Sequence, residues 1–148
     1  MREIKFRGKD YSDQWVYGDL IHKRHDKESV LIQDHKGLGS DVDTITIGQY
    51  TGLKDKNGKE IYEGDILRGN EYPFNCDGVD NYFAEIVWAD NVCGFYIVTH
   101  KKPNSTVRGI AHGNWSQLDK EDIESFEVIG NIHDNPELIK EVKKNDYR

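Results

Sequence analysis

Short runs in which apolar and polar residues alternate recur along the chain, each closed by a cluster of Gly, Asn, Asp or Ser. Alternation with a period of two marks a strand with one face inward. On that basis strands are expected at residues 4–6, 15–21, 29–34, 42–50, 61–69, 82–90, 94–100 and 126–132. In YFAEIVWAD (82–90), Tyr82, Ala84, Ile86 and Trp88 share a wholly apolar face, while Phe83, Glu85, Val87 and Ala89 share a mixed one. Such a strand is half-buried. It is expected to form a hairpin with residues 94–100 across Asn91-Val92-Cys93-Gly94. The cadence fits a meander or small barrel better than alternating strands and helices.

Helical signals are confined to the C-terminal part. LDKEDIES (118–125) allows one short helix with Ser116 as a candidate N-cap. Asn135-Pro136-Glu137 supplies a cap, a proline at the first helical position and an acid in the first turn. A C-terminal helix carrying Leu138, Ile139 and Val142 on its apolar stripe is therefore expected. Residues 101–117 are polar and read as a long loop.

Composition sharpens this picture. With 148 residues the chain fits one domain, or two small units, and can bury a core without staples. Charged residues make up 32%, yet three Trp, eight Tyr and five Phe are too many for a disordered chain. The net charge of −7 opposes phosphate neutralisation, so nucleic acid is not an expected partner. Only a local basic groove from Lys5, Arg7, Lys23 and Arg24 would reverse that. The acids concentrate between Gln117 and Glu141, whereas Arg2, Lys5, Arg7 and Lys9 make the start basic. The opening carries no apolar signal-peptide core and no run approaches a membrane span, which points to a cytoplasmic protein with reduced thiols. Cys76 and Cys93 lack metal-site spacing.

Candidate chemistry centres on LKDKNGKEIYEGDIL (53–67). Counted from Asp55, its sixth and twelfth positions are Glu60 and Ile66, so it is not a calcium loop of the helix–loop–helix kind. Asn57-Gly58 instead predicts a two-residue type I′ hairpin turn. Glu63 and Asp65 flank Gly64 at a strand entry; they are the candidate ligand-binding residues, as a cation site or an acid–base pair. The same two carboxylates could equally cap turn N–H groups. Tyr17-Gly18-Asp19 echoes this Gly-Asp pattern. His22 and His25 form an HxxH pair in a charged loop, and His100, His112 and His133 could meet only through the tertiary fold. No catalytic fingerprint, metal site or cofactor motif is present.

REIKFRGK (2–9), WVYGDLI (15–21), IGQYTGLKDKNGKEIYEGDIL (47–67) and FEVIGNIHDNPEL (126–138) together resemble the YopX family of small phage and prophage proteins. The resemblance implies a phage or prophage setting and a mainly β fold with an SH3-like barrel or roll starting near residue 60. It implies no activity, cofactor or catalytic residue. The resulting expectation is a small N-terminal β region (1–59) and an SH3-like barrel (60–148) closed by a C-terminal helix. Three functions follow as expectations. The first is a non-enzymatic module that binds a protein partner or itself. The second is a cation-dependent ligand binder or hydrolase using Glu63 and Asp65. The third is a nucleic-acid binder, or an acidic mimic of nucleic acid.

Overall fold

The structure is a computed structural model, and it describes residues 1–71, 74, 82–101, 115–117 and 120–139. The chain divides into two compact units: residues 1–53 with 60–63, and residues 54–59 with 64–148. Both are built on antiparallel β-sheet. Among the described residues no helix is long and apolar enough to cross a membrane.

The first unit's strands are β1 (Phe6–Lys9), β2 (Trp15–Lys23), β3 (Asp26–Gln33), β4 (Gly39–Asp41), β5 (Gly48–Lys54) and β6 (Glu60–Tyr62). Their order across the sheet is β4-β3-β2-β1-β5-β6. Val30, Ile32, Val42, Tyr50, Ile61 and Tyr62 form its core, with the Tyr50 and Tyr62 rings 5.4 Å apart. Three of its strand connections share one turn grammar, D-x-x-x-x, at Asp10–Gln14, Asp34–Leu38 and Asp55–Lys59, the last turn belonging to the second unit. In each, the Asp N–H donates to the carbonyl of the fifth residue, and the Asp carboxylate accepts from the third and fifth N–H groups. The fourth residue has positive φ: Asp13 (63°), Gly37 (82°) and Gly58 (78°).

That geometry corrects the turn expected at Asn57-Gly58. A type I′ turn needs positive φ at both residues, but only Gly58 has it. The observed form is a type I turn from Asp55 closed by Gly58, which gives the bulged three-residue hairpin loop. The strand expected over 42–50 is likewise interrupted. The Asp43 side chain accepts from the Ile45 N–H and starts a 3-10 turn at Thr44–Thr46, so β5 begins only at Gly48. β1 begins at Phe6 rather than at residue 4. The run 61–69 is split by the Gly64 turn (φ 87°).

The second unit contains β7 (Asp65–Arg68), β8 (Tyr82–Ala89), β9 (Gly94–Lys101), β10 (Trp115–Gln117), the one-turn α1 (Lys120–Ile123) and β11 (Glu127–Asn131). The order is β10-β9-β8-β7-β11. The apolar face foreseen for β8 is the buried one: Tyr82, Ala84 and Ile86 are fully enclosed, and only Trp88 emerges at 40% exposure. The β8–β9 hairpin forms in the expected place, ending on the pair Ala89 and Gly94. Phe74 and Phe126 pack edge to face at 4.8 Å over Gly69, where a side-chain Cβ would lie 2.6 Å from the Phe74 ring.

Three expectations for this unit are corrected. Among the described residues the sheet is open: β10 and β11 lie at opposite edges and are not paired, so no barrel closes. Ser116, the candidate N-cap, sits inside β10 opposite Ile97, and the helix is the single turn Lys120–Ile123 among the described residues. Asn135 does not cap with its side chain. Its Oδ1 accepts from the Asn131 N–H at 3.3 Å, and Pro136–Leu138 form only a 3-10 turn. Residues 140–148, where the C-terminal helix was expected to continue, lie outside the described residues.

Candidate functional site

The basic start of the chain resolves into a packed layer. Lys5, Arg7 and Lys9 alternate along β1 and its approach and therefore point to one face. Opposite them lie Tyr50, Tyr62 and Trp15. The Lys5 ammonium is 4.9 Å from the Tyr50 ring centre, and Arg7 lies between Trp15 (4.7 Å) and Tyr62 (5.0 Å). Lys9 approaches Trp15 at 5.5 Å and pairs with Asp13 at 2.7 Å. Arg7 is buried and its Nη2 donates to the Glu63 carbonyl at 3.4 Å. Burial pulls the Lys5 amine down, but its bonds to Glu60 (2.6 Å) and Glu3 (3.1 Å) outweigh that and raise it. Burial, then the bond it donates to Glu60 at 2.8 Å, push the Tyr62 phenol far up. These cations are structural partners of aromatic rings, and Lys23 pairs with Asp41. Of the four residues of that candidate basic groove, Lys5, Arg7 and Lys23 are thus engaged by rings or carboxylates, and Arg24 is exposed.

Beside this layer the first unit's sheet leaves an open wedge. β1 pairs with β2 only from Phe6 opposite Gly18 to Lys9 opposite Trp15. Before Phe6 no residue is paired with β2 among the described residues, and the Tyr50 N–H donates to the Lys5 carbonyl at 2.9 Å. From Asp19 onward β2 is paired with β3 alone among the described residues. The result is a groove of about 490 Å³ lined by residues 3–5, 17–19 and 33–35. Its Gly18 is obligatory: a Cβ there would stand 1.9 Å from the Gln33 carbonyl oxygen, and φ is 153°. Tyr17 is 46% exposed, and its ring meets that of Tyr62 edge on at 5.5 Å. Asp34 is held below the usual carboxylate range by the N–H of Leu38, then that of Lys36.

Glu63 and Asp65, the carboxylates singled out in the sequence, are placed differently from one another. Glu63 is half-buried in the first unit, and its N–H donates to the Gln49 carbonyl at 3.0 Å. Asp65 opens β7 in the second unit at 1% exposure, opposite Asn131. Neither lines the groove. The two Gly-Asp pairs also serve different needs: Gly64 turns the chain, while Gly18 admits a close strand.

The histidines are scattered. His22, His25 and His35 are exposed, and His35 lines the groove. His100 meets Glu85 at 2.9 Å across β8 and β9, a pair foreshadowed only by Glu85's place on the mixed face. His112 lies outside the described residues. Among the described residues no three His, Cys, Asp or Glu side chains gather as a metal site.

The fold is similar to that in the crystal structure of protein EF1440 from Enterococcus faecalis. The TM-score is 0.53 at 25% identity, covering 95% of this chain and 100% of that one. No curated protein matches the chain. The match to the YopX protein family runs over residues 5–140, nearly the whole length, and the chain belongs to that family.

Proposed function

We propose that the chain is a non-enzymatic binding module whose ligand is another polypeptide, taken up at the wedge beside β2. The observation that carries this reading is the backbone edge of β2 from Asp19 to Lys23, which is bare among the described residues and opens onto the groove at Asp19. An unpaired strand edge offers N–H and C=O groups in the spacing that only another strand matches. The charged and aromatic lining adds side-chain recognition to that backbone ladder. In the phage or prophage setting that the resemblance implied, such a module acts as an accessory protein in the bacterial cytoplasm. A hydrolase reading built on Glu63 and Asp65 has less support, because those carboxylates lie away from the groove.

Photo-cross-linking tests this directly. A photoreactive phenylalanine analogue at position 17 is expected to give a discrete polypeptide adduct in bacterial cells. The same group at Lys120, exposed on the second unit, serves as the control. Adducts from position 120 but none from position 17 would overturn the reading.

A further inference from the structure

Resting on that reading, we infer that the polypeptide seated on the β2 edge is a second copy of this chain, paired antiparallel about Ile21. The argument starts from strand alternation. The Lys5 carbonyl is taken by Tyr50, so Phe6 turns its backbone groups toward Gly18 of β2. Alternation then turns the backbone groups of Leu20 and His22 outward, on the side that β1 leaves bare. Two such edges meeting at Ile21 let Leu20 of each copy exchange hydrogen bonds with His22 of the other. Ile21 then faces its own counterpart as a non-hydrogen-bonded pair, the closer of the two antiparallel spacings.

The side chains on this register are self-complementary. Asp19 and Ile21 share the outer face, Ile21 being 36% exposed. Lys23 follows a register shift in the β2–β3 ladder and reaches Asp41, which lies in line with Leu31 and Ile21 across the sheet. Antiparallel pairing about Ile21 sets Asp19 of one copy against Lys23 of the other, twice by symmetry. Asp19 is exposed and has no ion pair among the described residues. Lys23 is held by its own Asp41 at 2.5 Å, and charge from both carboxylates converges on it in the pair. A shift by two residues sets Ile21 against a charged residue, and a shift by four sets like charges opposite each other. The charge pattern therefore fixes one register, and a second DLIHK strand supplies it with the acid, the apolar residue and the base each in its matching place. Asp19, at the start of this edge, also lines the groove together with residues 3–5.

The test is charge reversal in the full chain, read by sedimentation velocity across protein concentration at low salt. Wild type is expected to show a monomer–dimer equilibrium. Asp19→Lys and Lys23→Asp should each weaken the dimer by about tenfold or more, and the double variant should restore it to within about threefold. Ile21→Cys, in a background with both native cysteines changed to Ser, should form an intermolecular disulfide under mild oxidation, since facing residues lie within bridging distance. Lys120→Cys in the same background should not. A wild-type protein that stays monomeric overturns the inference, and so do reversal variants that dimerise like wild type. A monomer that still gives polypeptide adducts from position 17 removes the self-pairing and leaves the binding module standing. A monomer without adducts removes both.

Discussion

The Asp55 carboxylate accepts a hydrogen bond from the Val128 N–H at 3.0 Å, joining two residues 73 positions apart in the second unit. Its other oxygen takes the N–H groups of Asn57 and Lys59, at 2.8 and 2.9 Å. Asp10 and Asp34 organise the same kind of turn at exposed sites, whereas Asp55 is 6% exposed. Burial pushes its pKa up, but the Val128, Lys59 and Asn57 donors outweigh burial and hold it below the ordinary value. Asp55→Asn keeps the size and removes the charge. It is expected to cost about 2 kcal/mol at pH 7, since bonds to a buried charged acceptor are lost. The sign with pH follows from the lowered pKa. The stabilisation is complete above the unfolded value of about 3.9 and is lost as pH falls through the lower folded value. Urea unfolding should thus show a wide gap between wild type and Asp55→Asn at pH 7 and a narrow one near pH 2. An equal gap at both would remove the charge from the explanation.

Arg7 yields a second expectation. Its flat guanidinium lies between Trp15 and Tyr62, and a lysine ammonium can match neither the stacking nor the fork. Arg7→Lys is therefore expected to destabilise by about 1–2 kcal/mol despite keeping the charge. Combining it with Trp15→Leu should give less than the sum of the single effects, because both remove one contact. Strict additivity in urea unfolding would count against the stacked arrangement.

Much of this architecture was legible as pattern. The β8–β9 hairpin and its buried face follow from alternation alone, because two opposed strands need only period and a short turn. What was not legible depended on competition or distance. VDTITIG alternates like a strand, yet the Asp43 carboxylate offers its own backbone a local bond, and the turn prevails. DYSDQ and DHKGL carry the same grammar as DKNGK, but only the last holds the Asn-Gly signal. Arg7 looks like a solvated cation until Tyr62, 55 residues on, folds over it. The groove exists because β1 and β3 cover different lengths of β2, and strand ends are what periodicity defines least.

Thr99 supplies a third expectation. It is fully buried in β9, and its hydroxyl has no hydrogen-bond partner among the described residues. A buried hydroxyl without a partner keeps its desolvation cost and returns nothing. Thr99→Val replaces it with a methyl of similar shape on a β-branched residue suited to a strand. Stability should rise by about 1 kcal/mol, read as a higher urea midpoint with an unchanged slope. A fall in the midpoint would show that the hydroxyl is satisfied after all.

The shared turn grammar supplies the last expectation, because it makes one of the three turns the odd member. Gly37 and Gly58 occupy the positive-φ position in two of them, and Asp13 occupies it in the third at φ 63°. A side chain at that angle crowds the following carbonyl, at a cost near 1 kcal/mol that Asp partly escapes by local bonding. Asp13 also pairs with Lys9 at 2.7 Å, but its side chain is 82% exposed, where an ion pair contributes a few tenths of a kcal/mol at most. Relief of backbone strain should exceed the lost pair and the added freedom of the unfolded chain. Asp13→Gly is thus expected to stabilise by about 0.5 kcal/mol. The reverse change, Gly58→Asp, places a side chain at φ 78° where nothing stands within 4 Å, so only strain opposes it. It should destabilise by a similar amount, and thermal unfolding of the two variants beside wild type should move in opposite directions. Both moving downward would mean that Lys9 and Asp13 hold their turn more firmly than an exposed ion pair ordinarily does.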